Sequence, residues 1–357
     1  MNTPAHRVRV LIVDDSAVMR QTLSTLLSAD PEIEVVGTAP DPHIARERIK
    51  ALNPDVISLD IEMPRMDGLS FLRKIMALRP TPVVMVSTLT QAGAEITLEA
   101  LEAGAVDFVT KPTDLVRGRD ALAQELQTKI KAAARTRLRP RSAAPIVPKV
   151  RPFARARDKI VFIGASTGGV EALKVVLMHL PADCPPILVT QHMPARFTTA
   201  FAERLNRECP MRVSEARDGE VIEAGHVYIA PGAQHLQIEG PAGRPLCRLS
   251  DAEPVSGHRP AVDVLFRSAA QVTRASAVGV ILTGMGKDGA EGLLAMRQAG
   301  AVTLGQDEAS SLIYGMPRVA FERGAVMRQC PLNAIGDAIL DACEAEAGRT
   351  RAAHNAA

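Results

Sequence analysis

The sequence predicts an α/β protein of two domains, each a sheet flanked by helices. Three observations carry this. Short apolar runs alternate with amphipathic stretches along most of the 357 residues, the pattern of strands alternating with helices. The alternation breaks once, from Lys129 to Lys159, where eleven Lys or Arg and four prolines accompany a single acid, Asp158. In the second half a serine bracketed by glycines, Ser166, directly follows the apolar run Ile160-Val161-Phe162-Ile163. Such a strand-to-helix turn holds a reactive group in the open, because small neighbours allow a tight turn and close approach of a substrate.

In the first half the strands are expected at Val8–Val13, Glu34–Gly37, Val56–Leu59, Val83–Val86 and Phe108–Val109. Between them the apolar spacing gives helices at Ala17–Ser28, His43–Leu52, Leu69–Leu78 and Ala94–Ala103, then Asp120–Ala134. Asp41-Pro42 starts the second helix, a capping residue followed by proline in the first turn. Five strands alternating with helices make an open parallel sheet. Pro140, Pro145, Pro148 and Pro152 stop any helix after about Leu138. The basic stretch, assigned to 126–157, is dispersed, proline-broken and internal, which favours a solvated linker over a nucleic-acid tail.

In the second half, strands are expected at Lys159–Ile163, Ile187–Thr190, His226–Ile229, Val278–Leu282 and Val302–Leu304. Helices follow at Val170–Leu180, Phe197–Arg207, Val262–Ala270 and Ala290–Gln298. Met211 to Leu249, with Arg217-Asp218-Gly219 as a turn, reads as short strands and hairpins, so this doubly wound α/β domain is expected to contain a mixed sheet. The Ala-rich tail after Gly348 carries no recognisable motif.

Hydrophobic content of 46% and charged content of 23% are those of an ordinary soluble globular protein. Aromatics at 3%, with no tryptophan, argue against stacking platforms for single-stranded nucleic acid. A net charge of +2 predicts no polyanionic partner. Five scattered cysteines without a Cys-x-x-Cys pair fit thiols of a reducing cytoplasm better than disulfides or a zinc site. No signal-peptide core and no long apolar run is present, so a cytoplasmic protein without membrane insertion is expected.

Asp14 and Asp15 close the first strand and Asp60 the third. Carboxyl ends of strands in an open parallel sheet share one edge. Three carboxylates there repel one another unless a hard cation neutralises them, and Mg²⁺ suits such oxygen donors. Lys111 after the fifth strand can pair with a phosphoryl oxygen, and Ser87 at the end of the fourth offers a hydroxyl. Asp60 is then a candidate covalent phosphate acceptor. A single acid at a strand end is ordinarily a solvated loop residue; five such groups, each on the right strand, are not explained that way.

These residues, with Val13-Asp14-Asp15, Leu59-Asp60-Ile61-Glu62-Met63-Pro64, Gly68, Val86-Ser87 and Lys111-Pro112, resemble the receiver domain of bacterial response regulators over about 7–125. The resemblance implies a flavodoxin-like (βα)5 fold and phosphorylation of Asp60 by a chemotaxis histidine kinase. It also implies Mg²⁺ held by Asp14, Asp15, Asp60 and Glu62, a switch formed by Ser87 and Lys111, and a cis peptide before Pro112.

For Gly164-Ala165-Ser166-Thr167-Gly168-Gly169 a dinucleotide site is the chief rival. The Tyr-x-x-x-Lys pair of short-chain dehydrogenases is missing, since Gly232 and Arg318 stand four residues after Tyr228 and Tyr314. A Walker-type loop fails for want of Gly-Lys-Ser/Thr. A serine hydrolase needs a base and an orienting acid. His192, in Gln191-His192-Met193-Pro194, and Asp288, in Thr283-Gly284-Met285-Gly286-Lys287-Asp288-Gly289, both sit in post-strand loops on the edge of Ser166. Ser166 is then the nucleophile, His192 the base, Asp288 its orienting carboxylate, and Thr167 and Met285 supply candidate oxyanion N–H groups. By spacing alone His235 and His258 compete with His192. The order Ser…His…Asp excludes an α/β-hydrolase.

Together with Ala230-Pro231-Gly232 and Gly257-His258-Arg259-Pro260, these segments resemble the catalytic domain of chemotaxis protein-glutamate methylesterases, the CheB type, over 158–347. The resemblance implies hydrolysis of glutamate methyl esters on the cytoplasmic domains of methyl-accepting chemotaxis receptors and deamidation of receptor glutamines, with no cofactor for the esterase. Phosphorylation of Asp60 is expected to move the domains from a state covering Ser166 to an open one. A DNA-binding output would need a helix-turn-helix, which 158–347 does not offer; a non-catalytic adaptor would leave Ser166 a turn residue.

Overall fold

The computed structural model describes residues 7–63, 66–88, 90–112, 118–136, 159–241 and 243–344. Pro64, most of the basic stretch (137–158) and the tail beyond Glu344 lie outside them. The chain divides into two compact units, Met1–Ala144 and Pro145–Ala357.

The first unit is a five-stranded sheet of β1 (Val8–Val13), β2 (Ile33–Ala39), β3 (Val56–Asp60), β4 (Val83–Ser87) and β5 (Asp107–Thr110). The order is β2-β1-β3-β4-β5 and every pairing is parallel. Helices α1 (Ala17–Ser28), α2 (Pro42–Leu52), α3 (Gly68–Leu78), α4 (Gln91–Glu102) and α5 (Arg119–Ala134) connect or follow the strands. β3 and β4 are buried throughout, which is why both are mainly apolar, β4 unbroken up to Ser87 and β3 interrupted only by buried Ser58 before Asp60. Side chains of Ser16, Asp41, Asp67 and Thr90 cap the first four helices by accepting main-chain N–H groups.

The boundary placed at 125–126 falls inside α5. Leu122, Leu126, Ile130 and Ala133 form the buried face of that helix, at the three- and four-residue spacing of a single stripe. Two of the basic residues assigned to the linker belong to this unit. Lys129 pairs with Asp107 and Glu125 at 3.3 and 2.7 Å, and Lys131 with Asp30 and Glu32 at 2.6 and 2.9 Å. The helical period, expected over Asp120–Ala134, thus runs on into the start of the basic stretch.

The second unit contains β6 (Ile160–Ala165), α6 (Gly169–Met178), β7 (Ile187–Gln191), α7 (Ala195–Glu208), β8 (Arg212–Glu215), β9 (His226–Ile229), β10 (His235–Glu239) and β11 (Leu246–Ser250). It continues with α8 (Val262–Val272), β12 (Ala277–Ile281), α9 (Ala290–Gln298), β13 (Val302–Gln306), α10 (Met316–Glu322), β14 (Arg328–Cys330) and α11 (Leu332–Glu344). Seven strands form one sheet, β14-β13-β12-β6-β7-β9-β8. Its pairings are all parallel, which corrects the expected mixed sheet. Among the named strands, antiparallel pairing occurs in a separate ribbon, β10–β11, with isolated antiparallel bridges at Val221–Leu246 and Val255–His258. The error arose at 216–225, where Arg217-Asp218-Gly219 suggests a hairpin; the segment instead carries the chain back so that β9 runs parallel to β8.

The core of this unit holds five of the chain's ten aromatics, with Phe162, Phe197, Phe201, Tyr228 and Phe266 fully buried. The Tyr228 hydroxyl donates to the Val221 carbonyl and accepts from the Glu223 N–H, both at 2.9 Å, so its burial leaves no orphaned polar group. α8 packs against β6, the ribbon strand β10 and α9. No helix among the described residues is long and apolar enough to cross a membrane.

Candidate active site

β6 is flanked by β7 on one side and β12 on the other. The chain turns from building one side of the sheet to the other at this strand, and ligands of such sheets gather at the carboxyl ends there. The loop after β12 is stitched to the β6 turn: the Ser166 N–H donates to the Thr283 carbonyl at 3.1 Å, and the Thr283 hydroxyl to the Thr167 carbonyl at 3.0 Å. His192 N–H, just past β7, donates to the Ala165 carbonyl at 3.1 Å. Two glycines are required by this closeness. Gly168 has φ of 78°, where a side chain is strained, and a Cβ on Gly284 would lie 2.8 Å from Ser166 Cβ.

Ser166, His192 and Asp288 are brought into one line. His192 Nδ1 is 3.2 Å from Ser166 Oγ, and Nε2 is 2.8 Å from Asp288 Oδ2. The serine therefore faces Nδ1 and the carboxylate Nε2, the reverse of the usual serine-protease wiring. The His192 side chain is only 7% exposed and that of Asp288 2%. An anion so buried needs compensation. Asp288 Oδ2 also accepts the Val262 N–H at 2.7 Å, and Oδ1 the Asp263 N–H at 3.0 Å. These are the first N–H groups of α8, whose N-cap Ala261 has no capping side chain; Asp288 serves as the cap and gains the favourable end of the helix dipole. Burial pushes its carboxyl up, but His192 and these two N–H groups outweigh it and hold the carboxyl below its ordinary value.

The rival histidines are placed apart from this line. His235 is fully buried at β10, accepting the Ala261 N–H at Nδ1. His258 stacks on the face of His192, ring centroids 3.7 Å apart and planes 11° from parallel. Thr167 directly follows the serine and is buried; half-buried Met285 follows Gly284.

Sequence reasoning missed two groups. The buried Gln191 amide donates to the main-chain carbonyls of both Ser166 and His192, at 3.0 and 3.2 Å, tying the two turns together. Its place before His192 at a strand end was the available signal. The α8 N–H groups are main-chain atoms and carry no residue signature.

In the first unit, ligand atoms of Asp14, Asp15 and Asp60 lie within 4.8 Å of one another, Asp15 exposed and the other two buried. Lys111 Nζ is 2.8 Å from Asp60 Oδ1 and 3.1 Å from Asp14 Oδ2. These two buried oxygens contact the ammonium but have no directed hydrogen bond. Burial pushes Asp60 up to about 6 against the pull of Lys111, with the Asp14 charge adding to the rise. Burial also draws Lys111 down, but Asp60 and Asp14 outweigh it and raise it. A hard divalent cation would supply what these carboxylates lack, and the oxygen donors fit it.

Glu62 follows the end of β3, and its carboxylate accepts the Thr88 hydroxyl at 3.0 Å. Ser87 is buried with Oγ 2.8 Å from the Thr97 hydroxyl of α4. The Lys111–Pro112 bond is not cis; among the described residues the cis bond is Arg259–Pro260. Lys111 reaches inward without it.

Residues 161–339 match the family model described as CheB methylesterase, and 10–123 the one described as response regulator receiver domain. The chain is 59% identical over 342 residues to protein-glutamate methylesterase/protein-glutamine glutaminase 1 of Caulobacter vibrioides, covering 95% of this chain and 99% of that protein. It is 56% identical over 346 residues to protein-glutamate methylesterase/protein-glutamine glutaminase 2 of Xanthomonas oryzae pv. oryzae, covering 93% and 96%. The crystal structure of the Thermotoga maritima CheB methylesterase catalytic domain superposes with a TM-score of 0.50 at 37% identity, over 51% of this chain and 97% of that one.

Proposed function

Because the chain belongs to the CheB methylesterase family and carries a response-regulator receiver unit ahead of the hydrolase, we propose that it demethylates glutamate methyl esters of methyl-accepting chemotaxis receptors and deamidates receptor glutamines to glutamate. The observation that carries this is the line from half-buried Ser166 Oγ through His192 to buried Asp288, at 3.2 and 2.8 Å. Ser166 Oγ attacks the side-chain carbonyl carbon while its proton passes to His192 Nδ1. The tetrahedral oxyanion is met by main-chain N–H groups, to which we assign Thr167 and Met285. His192 returns the proton to the departing oxygen or nitrogen, releasing methanol or ammonia and leaving an acyl ester on Ser166. Water then attacks that ester, giving its proton to His192, and glutamate leaves as Ser166 recovers its hydrogen. Asp288 stays ionised throughout and stabilises the imidazolium across Nε2. This half of the protein needs no cofactor.

In the receiver unit, Asp60 accepts a phosphoryl group from a chemotaxis histidine kinase, and Lys111 pairs with its oxygens. Asp14, Asp15 and Asp60 would hold Mg²⁺, which neutralises phosphoryl charge when bound. Ser87 lies next to this site on β4 and senses the new group. Signalling to receptor tails and a kinase places the protein in the cytoplasm. Methanol release from methylated receptor membranes tests the reading: Ser166→Ala should abolish it, and a variant as fast as wild type would sink the serine mechanism.

A further inference from the structure

The ring contact between His192 and His258 has no part in the reaction just described, yet the protein builds a dedicated hairpin to make it. Val255 and His258 exchange both main-chain hydrogen bonds at 3.0 Å. Ser256 and Gly257 form the two-residue turn between them at φ of 54° and 80°, the left-handed region such a turn demands and serine occupies at a cost. Arg259 donates to the Asp251 and Ala252 carbonyls at 3.0 and 3.1 Å. Buried His235 is bonded on both sides of the turn, to the Glu253 carbonyl at 3.1 Å and the Ala261 N–H at 3.2 Å. The His258 ring is therefore set by its surroundings against the face of His192, with centroids 3.7 Å apart.

The geometry points to His258 as a positioning residue that holds the His192 imidazole in the plane serving Ser166. This rests on the reading of Ser166, His192 and Asp288 as the esterase triad. The two in-plane tethers of His192 are unequal, 2.8 Å to Asp288 and 3.2 Å to Ser166. Acylation removes the Ser166 proton and with it the hydrogen bond on that side. One bond to Asp288 then remains, and the ring can tilt about it. Hydrogen bonds in the plane resist sliding; a flat ring stacked on the face resists tilting, through dispersion and ring–ring attraction. His258 stands over the ring and off the Ser166–Asp288 line, so it takes no proton and acts through His192.

The test is methanol release by the full-length protein on methylated receptor membranes, with His258→Ala, His258→Phe, His258→Leu and Ser166→Ala. Loss of the stack in His258→Ala should lower kcat about tenfold with KM unchanged, and His258→Phe, which keeps a flat ring, should restore most of it. If His258→Ala does not fold, as judged by its melting curve, His258→Leu against His258→Phe carries the same comparison: leucine slow, phenylalanine near wild type. An unaltered kcat without the ring, while Ser166→Ala is inactive, overturns the positioning role and leaves the triad standing. So does a failure of phenylalanine to rescue, or a rise confined to KM, which would make His258 a receptor contact. An active Ser166→Ala overturns the triad and this inference with it.

Discussion

Asp288 Oδ2 sits 2.8 Å from His192 Nε2 and accepts the first N–H of α8, that of Val262, at 2.7 Å through the same atom. One carboxylate thus orients the base and closes a helix. Its two duties can be separated by substitution, because an amide oxygen can still cap the helix but cannot stabilise an imidazolium.

Asp288→Asn is expected to lower kcat by about 10⁴-fold, the order that removing a triad carboxylate costs. The fold should survive with a modest drop in melting temperature. Methanol-release kinetics beside calorimetry read both; loss of folding with no intrinsic catalytic defect would contradict the division of roles.

The two buried acids at α8 should respond to pH with opposite signs. Asp288 is held below its ordinary 3.8 in the fold, burial being outweighed by His192 and the N–H groups of Asp263 and Val262. Its ionised form therefore stabilises the fold above pH 3.8, and that contribution is lost as pH falls through the lower folded value. Asp263 is raised above 3.8 by burial, against the Gly292 N–H it accepts at 2.7 Å. Keeping it ionised costs stability above its folded value, and the cost vanishes below 3.8. At neutral pH, Asp288→Asn should lower the melting temperature. Asp263→Asn, which can still accept from Gly292, should raise it. Both differences should close on acidification, as calorimetry over a pH series would show.

Gly284→Ala isolates a steric demand. A Cβ there would lie 2.8 Å from Ser166 Cβ and would also run into Met316 Sδ, while Gly284 is not among the positive-φ glycines, so its backbone accepts alanine. Displacing the nucleophile should cost about 10²-fold in kcat with little change in KM. Wild-type turnover would mean that the loop yields without moving Ser166.

Asp60→Asn should leave unstimulated methanol release intact while removing its stimulation by the kinase, because the amide cannot accept a phosphoryl group as an acyl phosphate. The check is esterase rate with and without the phosphorylated kinase. Full stimulation of the variant would refute control through Asp60.

Most strands and helices were legible because each apolar run or amphipathic stripe is a local pattern. β9 and α9 were bounded in the sequence as they fold, at His226–Ile229 and Ala290–Gln298. α10, β14 and α11 were not foreseen; β14 has only three residues and only one of them is buried, too short to show a period. Ser166, His192 and Asp288 were legible as a set because each follows a strand, and parallel strands present their carboxyl ends on one edge. Spacing alone did not separate His192 from His235 and His258, since all three lie in loops or beside them; the resemblance of Gln191-His192-Met193-Pro194 to the family's segment did.

By itself the sequence determined the two α/β units, the edge on which each gathers its polar groups, and the residue types that do the chemistry. Tertiary structure decided which strands neighbour β6, that the seven-stranded sheet is wholly parallel, and that Nδ1 of His192 faces the serine. It also decided that Asp288 caps α8 and that His258 covers the ring of His192. The division has a physical cause. Strand periodicity and end-of-strand placement are set by residues close in the chain. The distances of 2.8 Å between His192 and Asp288 and 3.7 Å between the two rings span 96 and 66 residues, and only packing fixes what the chain brings back from so far.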